Sequence, residues 1–162
     1  MNCFDDVRSV FRRNPSATAC VYGSEKYPSL RGTVMFYQLC GRVAVRAEIT
    51  GLPEENHCAG PIFGFHIHDG GECTGNENDY FANSGMHYNP QNCPHPYHAG
   101  DLPPLFGVGG TAFSLFITDR FTVSEILGKA VIIHGSPDDF TSQPSGNSGE
   151  KIACGIITPV CR

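Results

Sequence analysis

Apolar side chains in this chain fall in short runs between turn residues, and the clearest run alternates strictly. From Arg42 to Ile49, Val43, Val45, Ala47 and Ile49 share one face while Arg46 and Glu48 occupy the other, the period of two that marks a half-buried strand. Two further strand signals precede it, Thr18 to Tyr22 and Gly32 to Gln38, and the three read as hairpin-linked antiparallel strands. Gly110 to Phe116, Ala130 to His134 and Ile152 to Thr158 follow. Thr122-Val123-Ser124-Glu125 has the form of a capping box, which predicts a single helical turn. At the start, Phe4, Val7, Val10 and Phe11 recur at helical spacing between Asn2 as N-cap and Arg12 and Arg13, and Pro15 stops the run. The stripe is modest, which favours a short helix docked on the domain's own surface over a partner-binding helix. The remaining residues read as loop.

Composition narrows the class. The chain has 162 residues, is 40% hydrophobic and contains no long apolar run, which predicts one domain with a real core and no membrane span. With 19 glycines and 12 prolines punctuating β-branched and aromatic runs, an all-β sandwich or barrel is expected. The net charge of -5 comes without any basic stripe, which argues against a nucleic-acid partner. Cys3, Cys20, Cys40, Cys58, Cys73, Cys93, Cys154 and Cys161 are numerous, yet no charged-then-apolar segment follows Met1. We therefore expect a cytoplasmic protein whose thiols are mostly reduced, several being buried as small apolar residues.

The chemistry concentrates between Gly64 and Asp101, a stretch holding five of the seven histidines. If Phe65-His66-Ile67-His68 is a strand, His66 and His68 share a face and Phe65 and Ile67 share the other. His87 follows, then His95 and His98 with Asp101, and much later His134. His57 beside Cys58 lacks the ligand count of a site and reads as a surface histidine in a polar loop. The other six histidines and Asp101 supply seven ligands, one short of two four-coordinate sites. One imidazole would have to serve two metals through its two nitrogens. An all-nitrogen flattened set suits Cu(II), and three nitrogens with one carboxylate oxygen make an ordinary tetrahedral Zn(II) site.

At these residues the sequence resembles the copper/zinc superoxide dismutases. The similarity lies in Gly64-Phe65-His66-Ile67-His68, His87-Tyr88-Asn89-Pro90, His98-Ala99-Gly100-Asp101-Leu102, Val131-Ile132-Ile133-His134, Gly146-Asn147-Ser148-Gly149 and Ala153-Cys154-Gly155-Ile156-Ile157. It runs from about Ala17 to Val160, so residues 1–16 read as a helical extension and residues 17–162 as the domain. The resemblance implies an eight-stranded antiparallel Greek-key β-barrel. It implies copper on His66, His68, His87 and His134, zinc on His87, His95, His98 and Asp101, and His87 as the bridge. It implies dismutation of superoxide to oxygen and hydrogen peroxide, with His87 releasing copper and taking a proton when copper is reduced. Asp138 matches a carboxylate that links a copper histidine to a zinc histidine, a role that Asp139 beside it could also fill. Cys73 and Cys154 match the family's intrasubunit disulfide. A homodimer is a further arrangement such barrels adopt, through a surface the sequence does not assign, and the copper donor stays unnamed.

Three departures bear on activity. Where the family has an arginine three residues before the closing cysteine, this chain has Lys151; lysine keeps the charge that attracts superoxide and loses the planar fork, so a lower activity is expected. The bland alternative for Lys151 is a solvated charge at a strand start. Only Pro96 and Tyr97 separate His95 from His98, with Cys93 nearby as a substitute soft ligand. Phe140 to Ser145, where the family has a charged loop, carries no charge, so Lys151 is the main cation for steering and rates should depend weakly on salt. The rival reading is a non-enzymatic relative that holds copper or zinc for structure, storage or delivery.

Overall fold

Nine antiparallel strands, with almost no helix, make up the computed structural model, which describes residue 10 and residues 12–54 and 61–160. They are β1 (Ala17–Gly23), β2 (Arg31–Leu39), β3 (Arg42–Thr50), β4 (Ile62–Phe63), β5 (Phe65–His68), β6 (Leu105–Val108), β7 (Thr111–Thr118), β8 (Ala130–His134) and β9 (Lys151–Pro159). The sheet order is β4-β6-β7-β3-β2-β1-β9-β8-β5. Because β4 and β5 lie at opposite ends of that order and are separated in sequence by Gly64 alone, the chain itself closes the sheet into a barrel. β3 pairs with β7 rather than with β4, and β8 pairs with β9 and β5, so two connections cross the barrel in Greek-key fashion.

The count of nine rather than eight comes from the break at Gly64. Residues 62–63 pair with β6, while residues 65–68 pair with β8. At the break, Gly64 N–H donates to the Ser136 carbonyl and the Gly64 carbonyl accepts from His134 N–H, both at 2.8 Å. A Cβ there would lie 2.9 Å from Ser148 Cβ and 3.2 Å from His134 Cβ. Glycine lets the loop carrying Ser148 and the strand carrying His134 approach this closely.

One apolar cluster fills the barrel, including Phe36, Val45, Phe65, Ile67, Ile133 and Ile152. On β3, Val43, Val45, Ala47 and Ile49 are buried as the alternation predicts, and Ala44 is buried as well. The extra burial comes from a small outer cluster in which Val10 and Tyr37 cover Ala44. Val10 is helical; the rest of the expected helix from Asn2 to Phe11, together with Cys3, His57, Cys58 and Cys161, lies outside the described residues. The helical turn forms over Val123–Ile126. Glu125 closes it, its carboxylate accepting from Thr122 N–H at 2.6 Å and from the Thr122 hydroxyl at 2.7 Å. β4 and β6, read from the sequence as loop, hold two and four residues and are flanked by Pro61, Pro103 and Pro104, so they show no alternation to detect.

Candidate metal centre

All four side chains of β5 are buried, for two different reasons. Phe65 and Ile67 enter the barrel core, whereas His66 and His68 point outward beneath two loops. The loop carrying His87 and Asp101 lies along β5 and bonds to its backbone. Tyr88 N–H donates to the Ile67 carbonyl at 2.8 Å, Ile67 N–H to the Gly100 carbonyl at 2.8 Å, and Leu102 N–H to the Phe65 carbonyl at 3.2 Å. This pairing sets His68 beside His87 and His66 beside Asp101. Gly100 permits it, since a Cβ there would meet the Ile67 carbonyl oxygen at 2.2 Å. Register along one short strand thus brings together residues far apart in sequence.

Two groups of ligand-type atoms result, each with its members within 4.8 Å of one another: His66, His68, His87 and His134, and His87, His95, His98 and Asp101. His87 belongs to both. The hydrogen bonds around the rings sort their nitrogens. Asp138 accepts from His66 Nε2 and from His95 Nε2, each at 2.8 Å. Gly85 O accepts from His68 Nδ1 at 2.9 Å, and Gly149 O from His134 Nδ1 at 3.2 Å. Each anchored nitrogen takes the proton, so the opposite nitrogen of the same ring is left with a lone pair. Those lone-pair atoms converge. His68 Nε2 and His134 Nε2 stand 3.3 Å apart, and with both outer nitrogens protonated these are two acceptors facing each other, an arrangement that a cation between them satisfies. His66 Nδ1, His87 Nε2 and His95 Nδ1 are buried without a hydrogen-bond partner. His95 Nδ1 does lie 3.0 Å from Asp101 Oδ2, but without hydrogen-bond alignment, as expected of two ligands directed at a shared centre. On the second side Asp101 Oδ1 lies 2.7 Å from His87 Nδ1 and 3.2 Å from His98 Nδ1. The residues present fit two metal ions that share one imidazole.

The electrostatics hold these groups in ligating form. Burial pushes His66 and His98 below the usual imidazole range and His68 well below it. Burial, followed by the nearby His66, lowers His134 to about 3. Burial alone would raise Asp138, but hydrogen bonds from His66, Phe140 N–H and His95 outweigh it and hold the carboxylate at about 2. Asp101 is likewise raised by burial and lowered on balance by the hydrogen bond from His87 and the neighbouring imidazoles. Neutral imidazoles and ionised carboxylates are the metal-binding species.

The structure brings the sequence-predicted ligand residues together in these two groups. His95 joins the second group despite its short spacing from His98, while Cys93 is outside it and its backbone is tied to Asn89. Asp138 spans the two histidines; Asp139 instead closes the following turn through Thr141 and Ser142. Cys73 and Cys154 form a disulfide with Cα atoms 5.6 Å apart. Lys151 lines a cavity of about 620 Å³ that opens onto His68, His87 and His134. It is not a solvated charge, because its ammonium donates to Asp79 and to the Phe81 and Gly85 carbonyls.

Several contributors escaped the sequence. Lys26, Glu77, Asp79 and Glu150 also line the cavity, so Lys151, expected as the main steering cation, shares it with a second lysine and three carboxylates. Lys26 arrives from the β1–β2 loop, where no motif marks it. Arg120 is a further one: the two hydrogens of its Nη1 are shared among the carbonyl oxygens of Pro96, His98 and Asp101 at 3.1, 3.2 and 3.1 Å, tying the segment that bears two ligands to the end of β7. Backbone acceptors leave no trace in a sequence.

Comparison with known proteins agrees with this geometry. The family model described as copper/zinc superoxide dismutase matches residues 30–157. A Cu-Zn superoxide dismutase of Ramazzottius varieornatus is 31% identical over 179 residues, covering 96% of this chain and 86% of that protein. One from Legionella pneumophila is 34% identical, covering 86% of this chain and 85% of its own, and one from Arabidopsis thaliana is 34% identical, covering 90% and 92%. With two four-ligand groups sharing His87 and matches that span most of the barrel, the chain belongs to the copper/zinc superoxide dismutase family.

Proposed function

We propose that this chain dismutates superoxide, turning two superoxide anions and two protons into one oxygen and one hydrogen peroxide. In this reading His66, His68, His87 and His134 hold copper, and His87, His95, His98 and Asp101 hold zinc. The observation that carries it is the shared imidazole: His87 Nδ1 faces Asp101 while His87 Nε2 is buried without a hydrogen-bond partner among the copper-side histidines. Copper, when bound, supplies the one-electron acceptor and donor for the two half-reactions, and zinc supplies a closed structural site.

The protein's own groups do the rest. Asp138 orients His66 and His95 together, so the two sites are aligned by one carboxylate. In the same reading His87 Nε2 holds a proton whenever it is not a ligand, which is supported by its lack of any other hydrogen-bond partner and by the position of His87 on the cavity lining. Lys151 provides positive charge at the cavity wall for an anionic substrate. Metal content and dismutation rate measured on one reconstituted sample test the reading. One copper and one zinc per chain with turnover absent from the apo form is expected; tight binding of both metals without turnover would support a metal-holding protein instead.

The chain is read further as an extension over residues 1–16 and a barrel domain over residues 17–162, consistent with β1 beginning at Ala17. A homodimer through β6 and β7 is supported by Phe106, Val108, Phe113, Leu115 and Ile117, large apolar side chains exposed on adjacent strands. No helix among the described residues is long and apolar enough to cross a membrane. The setting is read as cytoplasmic, with Cys20 and Cys40 as exposed free thiols beside one disulfide, Cys73–Cys154, among the described residues.

A further inference from the structure

Both cations of the substrate cavity are already engaged by carboxylates. Lys26 Nζ lies 2.7 Å from Glu150, and Lys151 Nζ lies 3.0 Å from Asp79 Oδ2. The engagement of Lys151 is complete, because an ammonium has three hydrogens and here meets three acceptors: Asp79 Oδ2 at 3.0 Å, the Phe81 carbonyl at 3.1 Å and the Gly85 carbonyl at 3.4 Å. The two carbonyls are built in. Phe81 O also accepts from the amide and hydroxyl of Ser84, and Gly85 O also accepts from His68 Nδ1. Asp79 is different. It is the charged acceptor of the three, its side chain is 38% exposed while that of Lys151 is 14% exposed, and it sits on the cavity wall.

We propose that Asp79 is an internal competitor for the substrate anion: it occupies the position on Lys151 that superoxide must take, and its displacement gates access and sets the selectivity for small anions. This rests on the reading of Lys151 as the substrate-facing cation. The turn that presents Asp79 is self-contained. Asn76 Oδ1 accepts from the amides of Asn78 and Asp79, and Asp79 Oδ1 accepts from Phe81 N–H at 3.0 Å. Asp79 Oδ2 therefore reaches Lys151 without being needed to hold the turn. In Asp79→Asn the oxygen that accepts from Phe81 is kept, while an amide NH2 replaces the oxygen that faces the ammonium. Lys151 then has a hydrogen to offer an incoming anion.

The test uses the protein loaded with copper and zinc, as wild type, Asp79→Asn, Asp79→Ala, Glu77→Gln, Lys151→Gln and Asp79→Asn with Lys151→Gln. Superoxide decay at low and physiological ionic strength gives kcat/KM, and optical titration with inorganic azide gives anion affinity independently of turnover. Asp79→Asn and Asp79→Ala are expected to raise kcat/KM roughly three- to tenfold at low salt, tighten azide binding by a similar factor, and make the rate fall more steeply with ionic strength. Glu77→Gln removes the same charge from the same cavity without touching Lys151 and should do less than half as much. The gain should vanish in the Lys151→Gln background. Unchanged azide affinity in both Asp79 variants, or an equal gain in Glu77→Gln, overturns the gate. If Lys151→Gln lowers neither rate nor azide affinity, the role of Lys151 falls and the gate falls with it; if it lowers both while the Asp79 variants gain nothing, the gate alone falls.

Discussion

Replacing Asp138 by asparagine should disable at least one of the two metal sites, although the change adds no bulk and opens no cavity. The carboxylate accepts from His66 Nε2 and His95 Nε2 at 2.8 Å each. An asparagine offers one acceptor oxygen and one NH2 donor, so one of the two rings must face a donor. To relieve that clash, the ring has to move its proton from Nε2 to Nδ1. For His66 and His95 alike, Nδ1 is the buried atom without a hydrogen-bond partner that is directed at the metal position. The variant therefore loses a charge-assisted hydrogen bond of about 1.5–3 kcal/mol, and a ligand nitrogen becomes protonated. A loss of roughly 10- to 100-fold in affinity for zinc, copper or both is expected. Competition against a chromophoric chelator at neutral pH measures it, with Asp139→Asn as the control, since Asp139 bonds within its own turn and reaches neither histidine. If Asp138→Asn binds both metals within threefold of wild type, the tautomer reasoning is wrong.

Three other expectations follow from the same geometry. Arg120→Gln should speed zinc loss to a chelator by roughly tenfold while copper binding holds, with Arg120→Lys recovering part of the difference; equal zinc release in all three would remove Arg120 from the centre, because its role rests on its three carbonyl contacts. Cys73→Ala opens a loop of sequence separation 81, which in the chain-entropy model costs about 4.5 kcal/mol and should lower the melting temperature by about 13 °C for a domain of this length; a shift below about 3 °C by calorimetry would refute the estimate. In the metal-free protein, His134 has a folded pKa lowered to about 3 from an ordinary 6.5, so the unfolded chain binds more protons between those values and stability falls as pH drops through that window. For His134 alone the loss from pH 7.5 to pH 5 is about 2 kcal/mol, with His66 and His68 shifting in the same direction. Urea unfolding at both pH values checks this, and a stability that does not decline would contradict it.

What the sequence determined by itself is the material of the barrel and of the centre. Period-two alternation from Val43 to Ile49 and the spacing of His66 and His68 are local properties, because neighbouring residues on a strand must point to opposite faces whatever packs against them. The identity and number of imidazole and carboxylate ligands likewise require one shared ring if both sites are four-coordinate, whatever fold carries them. Tertiary structure decided the rest, and did so through contacts between distant segments. β4 and β6 exist because barrel closure supplies them with partners, and two to four residues have no stable strand structure alone. The choice of Asp138 over Asp139 was made by which carboxylate can reach both His66 and His95. The engagement of Lys151 by Asp79, 72 positions away, and of three backbone carbonyls by Arg120 depends on distance and direction in space, which a linear pattern does not encode.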